Sequence, residues 1–134
     1  MSTKPRLVLG SSSPRRLDIL KQIHFIPDVV DAADIDETPK PKELPKAYCL
    51  RVALEKNQAL ADRYPNDFIV TGDTTCAVGR RIFGKPDNRQ HAEEIIRLLS
   101  GRSHDILTAV VVRAPDARRA SRVNHNRVKV KKMS

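Results

Sequence analysis

A short run of serine and arginine residues near the start of the chain has the composition of an anion-binding turn. An apolar stretch comes first, residues 11–13 are all serine, and Pro14 then precedes Arg15 and Arg16. Ser13 as N-cap and Pro14 at the first helical position predict a helix start, where free backbone N–H groups and the helix dipole attract anions. Two arginines in a first turn are tolerated when an anion neutralises them, which indicates a phosphate site. A solvated basic turn, or a Ser-Pro-Arg peptide that a kinase would modify, is the alternative.

Carboxylates and lysines recur at three later places. Glu37 ends an acidic cluster, Asp73 follows an apolar run, and Lys56 and Lys85 supply cations. Such a mixture suits a magnesium-bound polyphosphate, because the hard cation takes carboxylate and phosphate oxygens while Lys and Arg neutralise the remaining phosphate charge. Asp73, desolvated at a strand end, could also serve as a general base toward water. The alternatives are solvated loop acids, a turn cap at Asp73 and an exposed helical lysine at position 56.

These residues must be positioned by alternating strands and helices. Apolar periodicity, with Pro, Gly and Asn as start and stop signals, predicts both kinds of element. The strands are expected at 7–9, 26–33, 67–72, 106–112 and 121–132, the helices at 13–24, 45–64 and 88–99, and a hairpin at 76–83. Asp87 or Asn88 is expected to cap the third helix, and Gly101 to close it. Alternation of this kind predicts the α/β class, in which ligands gather at loops beyond the strand ends. Asp73 and Thr74 are placed at such an end, directly after the strand 67–72.

The net charge of +9 suggests a nucleic-acid partner until it is mapped along the 134 residues. Residues 113–134 carry eight Lys and Arg against one Asp, whereas residues 1–112 are nearly balanced. The five aromatic residues do not alternate with basic ones, which argues against stacking on bases. The length fits one domain with a core of its own. A nucleic-acid partner is therefore disfavoured, and a small basic binding protein driven by residues 113–134 stays as the rival class.

The two cysteines and the N-terminal residues bear on the compartment. Cys49 and Cys76 form no CxxC motif and cannot build a disulfide framework, so a reducing cytosol is expected. The first apolar run, residues 7–9, is too short for a signal peptide or a membrane span. The four histidines have no metal-ligand spacing and are interpreted as structural or exposed.

Taken together, several stretches resemble the Maf family of nucleoside triphosphate pyrophosphatases. They follow one another in order along nearly the whole chain. The matching stretches are SSSPRR at 11–16, DIDET at 34–38, YCLRVALEK at 48–56, GDT at 72–74, GKP at 84–86 and LLSGRSH at 98–104, followed by Thr108. The combination is highly specific although each piece is weak.

The resemblance implies an enzyme that hydrolyses nucleoside triphosphates between the α and β phosphates, giving a monophosphate and pyrophosphate. Enzymes of this kind remove non-standard nucleotides and need a divalent metal, Mg²⁺ or Mn²⁺. It implies that Asp73 accepts a proton and that Glu37, with Asp73, lies at the metal. The positions matching substrate contacts are Ser11, Arg15, Arg16, Lys56, Thr74 and Lys85, of which Arg15 and Thr74 also match positions linked with choice of base in the dTTP/UTP-type branch.

The sequence also departs from the family pattern. His24 stands where a glycine is usual, Asn57 replaces a small residue, and Ala109 replaces a glycine. The chain stops before the segment that, in the family, supplies a base-selecting glutamine. We therefore expect a single Maf-like domain over 1–134, incomplete at its C-terminus. Its fold is expected to be a Maf/ITPase-like mixed sheet flanked by helices, with a nucleotide cleft and the C-terminal part missing. A cytoplasmic protein with no membrane contact is expected, and the resemblance implies a homodimer. An inactive remnant of such an enzyme is the alternative.

Overall fold

The computed structural model describes residues 4–11, 14–83, 88–129 and 131, without the side chains of residues 14–16 and 20. The predicted N-cap Ser13 and the predicted substrate contact Lys85 lie outside these residues. The elements of the described part are β1 (Leu7–Gly10), α1 (Pro14–Gln22), β2 (Val29–Val30), α2 (Pro45–Arg63), β3 (Phe68–Val78), β4 (Arg81–Phe83), α3 (Arg89–Leu99), β5 (Ser103–Arg113) and β6 (Arg119–Lys129). No helix among them is long and apolar enough to cross a lipid bilayer.

The strands of the described part form one mixed sheet. Its order is β2-β1-β3-β5-β6, with β4 paired to the far half of β3. β1 lies parallel to both β2 and β3, whereas β5 is antiparallel to both of its neighbours, β3 and β6. The predicted α/β class and mixed sheet are confirmed. Because β1, β2 and β3 are parallel, the chain leaves β1 and β2 in the same direction, and residues 11 and 31 begin their loops at one edge.

Helix α2 covers one face of this sheet and forms the core with it. Pro45 occupies the first turn, where the missing N–H costs no hydrogen bond, and the helix ends at Arg63 ahead of Pro65. One cluster joins Cys49 and Ala53 of the helix to apolar residues of β5, and a second joins Leu60 to residues of β1 and β3. The helix is thereby held along its whole length, so polar side chains on it have fixed positions over the sheet.

The central strand β3 is longer than the sequence pattern predicts. It runs without a break through Asp73 and Thr74, so the prediction that these two residues follow the end of a strand is wrong. The reason is tertiary: residues 69–77 pair with β5, and Asp73 lies opposite Ala109. Neighbouring β-branched threonines also favour an extended backbone. Asp73 therefore projects from the middle of β3, which pairs with β5 at this residue, while on the other side β1 pairs with residues 68–71 and β4 with residues 76–78.

Other boundaries shift by smaller amounts. β2 contains only two residues instead of the predicted eight, α1 ends at Gln22, and β6 begins at Arg119 and ends at Lys129. α3 begins as predicted, because Asn88 Oδ1 accepts a hydrogen bond from His91 N at 2.8 Å. It ends as predicted too: Gly101, just beyond it, has a φ of 72°, a conformation that glycine adopts without strain.

Candidate active site

Asp73 is the predicted site acid that the sheet itself positions. Its side chain is only 13% exposed and lies on the face of β3 that α2 covers. Thr75, two residues along and on the same face, donates a hydrogen bond from Oγ1 to Asp73 Oδ2 at 3.1 Å. The thiol of Cys49 on α2 reaches the main-chain oxygen of Asp73 at 3.4 Å. Strand pairing fixes the backbone of this residue, and Thr75 fixes the orientation of its carboxylate.

Lys56 of α2 connects Asp73 to the second predicted acid, Glu37. Its Nζ lies 3.5 Å from Asp73 Oδ1 and 3.2 Å from Glu37 Oε1, and the lysine side chain is 17% exposed. The alternative of a freely solvated helical lysine is therefore wrong. One ammonium group stands between two carboxylates that come from a strand and from a loop 36 residues apart in sequence. A cation is thus favoured at this point of the site.

The backbone beside Glu37 is held by two further residues of α2. The hydroxyl of Tyr48 donates a hydrogen bond to Glu37 O at 2.6 Å, and Arg51 Nη2 donates to Thr38 O at 3.2 Å. Burial raises the pKa of the Tyr48 hydroxyl above its ordinary value, and the negative charge of Asp73 raises it further. Tyr48 therefore stays protonated and remains a donor at neutral pH.

A cavity of about 350 Å³ opens over these groups. Acidic and hydroxyl-bearing residues line it together with apolar residues, two of them from β4. Its lining consists of Glu37, Pro39, Tyr48, Asp73, Thr74, Thr75, Ile82 and Phe83. A ligand with a charged end and a flat, less polar end suits such a cavity. The structure thus brings Glu37, Lys56, Asp73 and Thr74 together.

The remaining predicted contacts belong to the first loop and the first helix. Ser11 is buried and follows β1 directly, next to Gly10, which pairs with Thr71 two residues before Asp73. Arg15 and Arg16 lie in the first turn of α1, as predicted, but their side chains are outside the described atoms. The structure therefore places Ser11 at the neighbouring strand end and leaves the two arginines and Lys85 as predictions.

Several residues of the site carried no role in the sequence analysis. Tyr48 and Arg51 lie within the YCLRVALEK stretch that supports the resemblance, and their i, i+3 spacing puts both on one side of a helix. That spacing was the available signal. Thr75 and Phe83 gave none, because their roles follow from strand parity and from the hairpin pairing of Cys76 with Phe83.

The donor set can be tested against a divalent cation. The described part of the chain contains no group of three or more His, Cys, Asp and Glu residues able to enclose a metal ion. Glu37 and Asp73 alone, however, already share a cation, the Lys56 ammonium. Magnesium is commonly bound by one or two carboxylates together with phosphate oxygens of the substrate. The two acids therefore fit a metal that arrives with a polyphosphate.

A second depression, of about 490 Å³, lies where β1 begins and α2 ends. It contains Arg6 and Arg63, but both are paired with acids, Arg6 with Asp67 at 3.1 Å and Arg63 with Asp31 at 3.2 Å. The first ion pair ties the residue before β1 to the residue before β3, and the second ties the loop after β2 to the end of α2. The depression is larger than the cavity at Asp73, yet it lies at the opposite edge from the carboxylate pair.

Comparisons with known proteins identify curated relatives of this chain. The dTTP/UTP pyrophosphatase of Caulobacter vibrioides is 48% identical over 134 residues, which are all of this chain and 69% of that protein. The dTTP/UTP pyrophosphatase of Rhodospirillum rubrum is 42% identical over 128 residues, or 96% of this chain and 61% of that protein. This chain thus spans about two thirds of the length of these relatives.

Among solved structures, the Ham1 protein of Staphylococcus aureus superposes with a TM-score of 0.62 at 16% identity, covering 92% of this chain and 70% of that one. A dITP/XTP pyrophosphatase from Mycobacterium abscessus superposes with a TM-score of 0.54 at 14% identity, over 95% of this chain and 74% of that one. Identities this low show the fold alone. The model of the family described as Maf-like protein matches residues 6–134. This chain belongs to the Maf-like protein family.

Proposed function

We propose that the protein hydrolyses nucleoside triphosphates to a nucleoside monophosphate and pyrophosphate, with dTTP and UTP as first candidates. The names of the relatives support the substrate class. The observation that carries the proposal is the carboxylate pair, Glu37 and Asp73, with one ammonium group between them in an open cavity. Ser11, where the predicted anion-binding turn begins, directly follows β1 beside the central strand β3.

In the proposed mechanism Asp73 accepts the proton of the attacking water. The water oxygen forms a bond to the α-phosphorus, the bond from that phosphorus to the bridging oxygen breaks, and pyrophosphate leaves with the bond electrons. Thr75 keeps the Asp73 carboxylate oriented by its hydrogen bond. Lys56, with Arg15, Arg16 and Lys85 at the matching family positions, neutralises phosphate charge that develops during this step.

A divalent cation, Mg²⁺ or Mn²⁺, would be held by Glu37 and Asp73 and would supply polarisation of the phosphate. Lys56, which now contacts both acids, would then neutralise a phosphate oxygen. Thr74 lines the same cavity, consistent with contact to the nucleotide. We further propose a cytoplasmic location, since the two described cysteines are free thiols and fit a reducing compartment.

The test is turnover of dTTP and UTP by the variant Asp73→Asn. We expect a loss of about 10²- to 10⁴-fold, the usual range for loss of a general base, with an unchanged melting temperature because the replacement is isosteric. The matched control is Asp62→Asn, an exposed acid on α2 that accepts a hydrogen bond from Gln58. Products are separated by chromatography.

Two results would contradict the proposal. Full activity of Asp73→Asn would remove Asp73 from the mechanism. Release of orthophosphate and a nucleoside diphosphate, in place of pyrophosphate and a monophosphate, would show cleavage of the wrong bond.

A further inference from the structure

The acid Glu37 lies in a long segment without regular structure. Residues 31–44 connect β2 to α2, all of them are described, and none belongs to a helix or strand. The Glu37 side chain is 52% exposed, so packing does not fix it. A loop of this length keeps one conformation only where side chains from a rigid element hold it.

Tyr48 provides the first such anchor. Its ring is buried in the first turn of α2, and its hydroxyl donates to Glu37 O at 2.6 Å. A tyrosine side chain has only two rotatable torsions before its rigid ring. This hydrogen bond therefore fixes the distance between the Glu37 main chain and α2.

Arg51 provides the second anchor one turn later. Its Nη2 donates to Thr38 O, and its Nε and Nη2 donate to the two carboxylate oxygens of Glu43 at 2.6 and 2.9 Å. Glu43 in turn accepts a hydrogen bond from Lys40 N at 3.0 Å. Paired planar groups of this kind are among the most directional contacts in proteins. Arg51 therefore closes the second half of the loop against the helix.

The two anchors also support each other. The Arg51 guanidinium lies 5.5 Å from the centre of the Tyr48 ring. The hydrogen bonds from Arg51 lower the pKa of Glu43 from 4.5 to about 2, so the pair stays ionised at neutral pH. Two consecutive carbonyl groups, of Glu37 and Thr38, are thus held by two side chains of one helix.

The same helix presents Lys56, whose Nζ contacts the Glu37 carboxylate at 3.2 Å. We infer that Tyr48 and Arg51 are positioning residues that hold the main chain of Glu37 so that its carboxylate shares a divalent cation with Asp73. This inference rests on the proposed function for the role of the cation. Tyr48 also lines the cavity, but in this account both residues act through Glu37.

The chain contains a matched control. Tyr64 and Arg63, at the other end of α2, hold the start of the same loop by hydrogen bonds to Asp31 at 2.9 and 3.2 Å. The variants Tyr64→Phe and Arg63→Met therefore remove the same chemical groups from the same helix and loop, away from Glu37.

The experiment measures Mn²⁺ binding by electron paramagnetic resonance, with a dTTP analogue that has a methylene group between the α and β phosphates. We expect the Kd for Mn²⁺ to rise about 10-fold in Tyr48→Phe and Arg51→Met, the lower end of the range for residues that orient metal ligands. The controls should change it less than twofold. In turnover assays the loss should appear in the metal concentration needed for half-maximal rate, and saturating Mn²⁺ should restore kcat.

If Tyr48 and Arg51 had only a structural role, replacing them would lower stability without raising the metal concentration needed for half-maximal rate. Glu43→Gln, which weakens the hold on Arg51 with little change of volume, serves if Arg51→Met fails to fold, and it should raise the Kd in the same direction. Equal Mn²⁺ affinity in Tyr48→Phe and Tyr64→Phe would overturn the inference, as would absence of Mn²⁺ binding by the unaltered protein. Failure to hydrolyse any nucleotide, with the Tyr48 dependence of Mn²⁺ binding intact, would instead overturn the proposed reaction and keep the positioning role.

Discussion

Replacing Asn57 by aspartate should make the stability of this protein depend on pH. Asn57 is fully buried on α2, next to Lys56 in sequence. Its Nδ2 donates to Ile69 O of β3 at 3.3 Å and to Val111 O of β5 at 3.2 Å. Its Oδ1 has no hydrogen-bond partner among the atoms that the structure describes. An aspartate there would turn oxygen atoms toward two carbonyl oxygens and a dry core.

The expected magnitude follows from this environment. When protonated, the new carboxyl keeps one of the two hydrogen bonds, which costs about 1 kcal/mol for the other. Burial without donors raises a carboxyl pKa by about three units or more, and each unit corresponds to about 1.4 kcal/mol. The folded form thus has the raised pKa, so the variant is least affected below about pH 4 and loses stability as the pH rises. We expect a deficit of about 1 kcal/mol near pH 4 and about 5 kcal/mol near pH 7.

The assay is urea unfolding of the Asn57→Asp variant at several pH values between 4 and 8. Asn66→Asp, in the exposed turn before β3, is the control, and its stability should follow that of the unaltered protein. Because Asn57 ties α2 to the two central strands, nucleotide binding through Lys56 should decline with the folded fraction. A constant difference in unfolding free energy across this pH range would refute the reasoning, since it would mean that water reaches position 57.

Two further predictions concern stability. In Gly10→Ala the new Cβ would clash with Leu60 Cδ1, so overpacking should cost about 1–3 kcal/mol. In Gly79→Ala the new Cβ meets no described atom within 4 Å, so only the φ of 58° should lower stability, by about 1 kcal/mol. Thermal unfolding compares the two, and a larger loss at Gly79 would contradict the packing argument. The lowered pKa of Glu43 predicts stability that is present above about pH 4.5 and is lost as the pH falls toward 2. Acid unfolding of Glu43→Gln should therefore be shallower in this window, and profiles identical to that of the unaltered protein would show that Arg51 does not depend on this partner.

The sequence predicted the parts of the fold that local chemistry decides. Pro45 begins α2, Asn88 caps α3, and Gly101 follows it with a positive φ, as their residue types require. The alternation of strands and helices likewise follows from hydrophobic periodicity. What depends on partners distant in sequence was less predictable: β3 continues through Asp73 because β5 pairs with it, a contact that no local pattern contains.

The candidate site divides in the same way. Glu37, Lys56 and Asp73 were recognisable by residue type and by resemblance. In the structure both carboxylates lie within 3.5 Å of Lys56 Nζ. The anchors Tyr48 and Arg51 were not assigned a role, since their hydrogen bonds reach main-chain atoms of another segment. The pattern of side chains in a sequence does not indicate which main-chain oxygens accept hydrogen bonds, so these hydrogen bonds could be identified only from the structure.

The position of Asp73 inside a doubly paired strand limits how this protein can change in length. Side chains alternate between the two faces of a sheet, so one residue inserted between positions 68 and 73 would move the carboxylate to the face away from Lys56, unless two strand pairings shifted together. The turn at 114–118 between β5 and β6 imposes no such condition. Insertions and deletions can therefore accumulate at one end of the sheet during evolution, while the odd or even count of residues in β3 must be preserved.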